Sequence, residues 1–145
     1  MADLKGGQGM DSRLEAMAQR ASDATEVQVG WFEDATYPDG DYVAMVAALN
    51  EFGWKHAPPR PFFRRMIAAG EKHWGPDLGK LLQASNFDAK QSLGQMGLSM
   101  EGELQASIHA GGFAPLKPAT IAAKGFATQL IDSSRMVNSV ASKVV

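Results

Sequence analysis

Pro58, Pro59 and Pro61 fall within four residues of one another, and no other feature constrains the fold of this chain as strongly. A residue that precedes a proline is pushed out of the α region, so the run 56–61 is expected to be extended. It therefore divides two helical patterns. Upstream, over 41–52, Val43, Val46, Ala47 and Asn50 form one stripe, and Met45, Leu49 and Phe52 form another. Asp41 is placed to cap this helix and Gly53 to stop it. A helix apolar on two sides is either buried all round or packs against a second chain. Downstream, the spacing predicts a helix over 61–74, because Pro61 suits a first helical turn. Gly75-Pro76 should break it, with a short helix following to about Ser85.

The remaining patterns fill in a mixed architecture. Met10, Leu14, Met17, Ala18 and Ala21 share one helical face, which predicts an amphipathic helix over 10–22 behind a Gly-rich tail at 1–9. Residues 25–32 alternate, with Val27, Val29 and Trp31 on one side, and read as a strand. Tyr37-Pro38-Asp39-Gly40 is turn chemistry. Leu93, Met96, Met100, Leu104 and Ile108 keep a helical spacing across 87–108. Gly94, Gly97 and Gly102 lie within it, which means either close backbone packing or a frayed helix. Gly111-Gly112 should end that element. A short helical turn is expected at 120–124, another turn capped by Asp132 or Ser133, and a terminal strand at 139–145 that pairs with the strand near Val27. The fold class expected is α+β: one domain over 10–145, with a small antiparallel sheet packed against several helices.

Size and composition are consistent with this. A chain of 145 residues, 45% apolar and 21% charged, can bury a core without covalent staples. It contains no cysteine, which removes disulfides, thiolate metal sites and cysteine nucleophiles together. The first ten residues are polar and Gly-rich, unlike a secretory signal, and no apolar stretch is long enough to span a membrane. A soluble intracellular domain is expected. The net charge of −2 provides no global field for nucleic acid. Local charge is uneven, however. Seven acids and no Lys or Arg occupy 21–54, whereas Lys55, Arg60, Arg64, Arg65 and Lys72 face Glu71 alone in 55–72. These blocks are either two solvated faces or complementary surfaces of a self-associating subunit.

Catalytic patterns are missing. His56, His73 and His109 have no metal-ligand spacing, and no nucleophile elbow, phosphate loop or dinucleotide fingerprint occurs. Glu33-Asp34 and Asp39/Asp41 are acidic pairs that could bind a cation, but they are also the residues any exposed turn uses. The expectation is a chain that is not an enzyme, with no catalytic, cofactor or metal residues. The basic segment 55–72 interleaves with Trp54, Phe62, Phe63 and Trp74, which leaves open a small intracellular nucleic-acid-binding module that contacts phosphates.

Asn50-Glu51-Phe52-Gly53 followed by Pro58-Pro59-Arg60-Pro61-Phe62 resembles the "N-E-F-G … I-P-x-R-P-F" signature of tailed-bacteriophage neck proteins. These are the tail-completion, virion-morphogenesis or lambda-type minor tail proteins. Val29-Gly30-Trp31 is similar to the family's early strand. Pro115-Leu116-Lys117-Pro118-Ala119-Thr120-Ile121 with Lys124-Gly125 is similar to "P-L-S-P-x-T-I-x-x-K-G". Leu130-Ile131-Asp132 with Met136, Asn138 and Ser139 is similar to "L-I-D-T-G-x-L-x-x-S-I", and the likeness spans about residues 25–145. It departs in two places: Ser133-Ser134 replaces Thr-Gly, and Ala57 stands where a β-branched residue is usual.

The resemblance implies a structural virion protein of the neck, assembled in the host cytoplasm. It would form a homo-oligomeric ring, hexameric or dodecameric, that joins the head portal or connector to the tail. Its partners would be copies of itself, portal-side proteins and tail tube or terminator proteins, with non-specific contact to packaged DNA and no membrane. Glu51, Phe52, Arg60, Phe62, Arg64 and Arg65 are the candidate interface residues. Arg60, held between prolines, is suited to clamp a carboxylate. The local candidate is Glu51, and the family pattern suggests Asp132.

Overall fold

The computed structural model describes residues 7–125, 130 and 134–145. Its elements are α1 (Gly7–Ser22), β1 (Val27–Gly30), α2 (Val43–Phe52), α3 (Phe62–Gly70), α4 (Trp74–Ala84), α5 (Ala89–His109), α6 (Pro118–Lys124), α7 (Arg135–Asn138) and β2 (Ala141–Val144). β1 and β2 form a two-stranded antiparallel sheet in which Val27 faces Val144 and Gly30 faces Ala141. The expected α+β class and the pairing of the strand near Val27 with the C-terminal segment are both present.

α5 is the spine of the molecule, packed against both strands and against α1, α3, α4 and α7. Asp88 opens it by accepting the Gln91 amide at 2.7 Å. Of its interior glycines, Gly97 is the one packing requires. A Cβ there would lie 2.6 Å from Ser142 Oγ and 2.9 Å from Val27 Cγ2, so the sheet rests directly on the helix backbone. Gly102 faces open space. The main core gathers Val43 and Ala47 of α2, Phe62 and Met66 of α3, Leu104 and Ile108 of α5, then Met136, Val137 and Val140. Trp31 closes it from the side, with its indole N–H donating to Met136 O at 2.7 Å and its ring edge-on to Phe62.

Several boundaries differ from the sequence expectations. α1 starts at Gly7 rather than Met10. Asp41 does not cap α2: the cap position is Tyr42, while the Asp41 carbonyl accepts the Tyr37 amide instead. The helix predicted over 61–74 stops at Gly70, and the break before the next helix falls at residues 71–73. Residue 70 has to be glycine, because the Trp74 ring lies where a Cβ would be. Gly75-Pro76 does not break the chain either. It sits in the first turn of α4, where a missing amide hydrogen is harmless. Ser134 has φ of 60° ahead of α7, taking the left-handed conformation without glycine. The predicted caps Asp132 and Ser133 lie outside the described residues.

Candidate assembly interface

The proline run brings the end of α2 against the start of α3, and each residue of that joint has a definable task. α3 begins after Pro61, which has no side-chain oxygen to satisfy the first amides of the helix. Glu51, buried at the end of α2, does so from a different helix. Its Oε2 accepts the Phe63 amide at 2.8 Å, and its Oε1 accepts the Arg64 amide at 3.2 Å. Arg64 Nε adds a third bond to that carboxylate at 2.7 Å, and Arg64 Nη2 donates to the Glu51 carbonyl. Negative charge at a helix N-terminus also favours the macrodipole. Gly53, at φ of 76°, turns the chain tightly enough that a Cβ would strike the Ala57 carbonyl and Pro59.

The expected Arg60–Glu51 clamp is not formed, because Glu51 is already saturated by α3. Arg60 is 8% exposed and still ties its loop to α2, but through Asn50. Its amide donates to the Asn50 carbonyl at 2.7 Å and its Nη1 to Asn50 Oδ1 at 3.2 Å, while Nε is buried without a partner. Asp132, the other candidate, lies outside the described residues. Arg60 lines a cleft of about 640 Å³ that also includes Asp39, Asp41 and Arg135.

Two further interface candidates are corrected. Phe62 is 0% exposed and belongs to the core, so it cannot meet another chain. Arg65 is used internally. Its guanidinium bonds Ser107 Oγ, the Ser107 carbonyl and the Gly111 carbonyl, and it stacks over Phe113 at 4.4 Å. Of the five cations in 55–72, Arg60 is buried and Arg65 is bound internally, whereas Lys55, Arg64 and Lys72 are exposed, Arg64 while also paired with Glu51. The acids Asp23, Glu26, Glu33, Asp34, Asp39 and Asp41 are all exposed. Among the described residues no three His, Cys, Asp or Glu side chains converge as a metal site would require, and no described helix is long and apolar enough to cross a membrane.

Two candidates remain at the surface, Arg64, whose side chain is 56% exposed, and Phe52, which is 67% exposed and marks the main apolar feature. One stripe of α2, Val43 and Ala47, is in the core. The exposed positions are Ala44, Met45, Ala48, Leu49 and Phe52, and the only charge on the helix, Glu51, is buried. Between α2 and α3 runs an apolar groove of about 320 Å³, floored by Trp31 and Phe63 and bordered by Ile67 and Arg64. Tyr42 and Trp54 extend the exposed apolar surface at either end of α2. The sequence pattern places Met45 and Leu49 on the second apolar stripe of a helix that is itself a candidate contact, although neither is among the named interface residues. The signal was the two-sided pattern itself. Comparison with protein-family models, with curated proteins and with solved structures finds no match for this chain.

Proposed function

We propose that this chain is a ring-forming structural subunit of a tailed-phage neck, which joins the portal side of the head to the tail. The observation that carries the reading is the uncharged, solvent-facing side of α2. A contiguous apolar surface on a folded chain marks a contact with another macromolecule. The motif behind the resemblance supports it. Asn50 holds Arg60, Glu51 caps α3, Gly53 makes the turn and Phe62 fills the core, which leaves Phe52 as the large motif residue turned outward. In this reading Phe52 and its neighbours form the contact between copies. Portal-side and tail proteins lie above and below the ring, and packaged DNA passes through it.

A nucleic-acid module working through 55–72 has less support, since Arg60, Arg64 and Arg65 are held by internal bonds. Mass photometry and negative-stain electron microscopy of the full chain test the proposal. A closed ring of fixed copy number is expected. A monomer that binds DNA with a steep salt slope would refute it in favour of the module.

A further inference from the structure

The groove on α2 has a matching ridge on the same chain. α1 is long enough for more than four turns, yet most of its apolar stripe is uncovered. Met10 is 65% exposed and Leu14 57%, Ala18 and Ala21 are also exposed, and Met17 is half-buried. The helix is held at its far end, where Arg20 Nε donates to the Asn86 carbonyl at 3.2 Å, and α5 is the element it packs against. Its own groove, on α2 and α3, lies on different elements. One chain thus presents a helical ridge and an apolar groove, neither of which is covered by the other.

We infer that α1 of one copy docks its Met10–Leu14 face into the α2–α3 groove of the next copy, head to tail. This rests on the self-assembly reading above and specifies its contact. Charge selects the occupant and its direction. Helical spacing places Asp11 and Glu15 along one edge of the α1 stripe and Arg13 along the other. The groove has Arg64 on its α3 side, and Asp39 and Asp41 lie on the opposite side of α2, in the cleft that Arg60 lines. With the two helices parallel, Asp11 and Glu15 fall toward Arg64, and Arg13 falls toward Asp39 and Asp41. An antiparallel approach would bring like charges together on both edges. A contact using different surfaces on its two sides is heterologous, and it closes into a ring when the rotation allows.

Two surface variants test this in the full chain: Leu14→Glu blocks the ridge and Phe52→Glu blocks the groove. Both positions are exposed, so the monomer fold should survive, as circular dichroism and an unchanged melting temperature would verify. Each variant alone should lose the ring and run as a monomer by mass photometry. An equimolar mixture should form a dimer of one copy of each and stop there, because one intact ridge meets one intact groove. The chain has no cysteine, so oxidising Leu14→Cys mixed with Phe52→Cys should give a single crosslinked heterodimer. A ring that survives Leu14→Glu but not Phe52→Glu would overturn the docking and leave self-assembly standing. A mixture that stays monomeric would overturn it in favour of a face-to-face contact between α2 helices. A parent chain that is monomeric throughout would overturn both readings.

Discussion

Replacing Glu51 by Ala should destabilise the fold far more than a surface carboxylate would. The Glu51 side chain is 6% exposed and accepts two amides of α3 and the Arg64 guanidinium. Loss of a helix cap costs about 1–2 kcal/mol. Leaving buried donors without their charged acceptor adds about 1–3 kcal/mol. The ion pair adds little, since Arg64 is 56% exposed and its half of the attraction is screened. The expected total is about 3 kcal/mol, or roughly 6–12 °C in melting temperature for a domain of this size. Glu51→Gln keeps an acceptor oxygen and should lose only about 1 kcal/mol. Arg64→Ala, which spares both amide bonds, should lose less than about 1 kcal/mol. Urea and thermal unfolding followed by circular dichroism measure all three. If Glu51→Ala falls within about 0.5 kcal/mol of the parent, the carboxylate is not capping α3 and the account of the motif is wrong.

Gly97→Ala should cost about 1–3 kcal/mol by forcing the sheet off α5, whereas Gly102→Ala, in open space, should gain up to about 1 kcal/mol; equal effects in thermal melts would contradict the packing argument. Ending the chain at Ser139 removes β2, its ladder to β1 and buried Val140, so the melting temperature should fall by more than about 10 °C. An unchanged melt would show that the sheet is dispensable. Arg60→Ala should lower stability by about 1–2 kcal/mol through the lost Asn50 bond while assembly persists; a folded variant of parental stability that fails to assemble would return Arg60 to the interface.

Local chemistry was enough to mark most of this chain's elements, though not the break between α3 and α4. The prolines at 58, 59 and 61 separate α2 from α3, alternation marks β1, Gly53 stops α2, and the spacing from Leu93 to Ile108 gives α5. Each of these depends on steric or hydrophobic rules that act within a turn or two of the backbone, so they are visible in a linear string. Partnership is not. Glu51, Arg60 and Arg65 looked alike as charged residues near a motif, and their different fates depend on which helix end or carbonyl lies across a gap in space. Glu51 meets the α3 amides, Arg60 meets Asn50, and Arg65 meets the end of α5. Gly75-Pro76 likewise lies in a first helical turn rather than at a break, since the chain turns at 71–73 and α4 begins at Trp74. The two-sided apolar pattern of α2 and the ridge of α1 were both present in the sequence. Only the tertiary structure decided which of their faces the core would cover, because the core takes one stripe of α2 and leaves Met45, Leu49 and Phe52 to another surface.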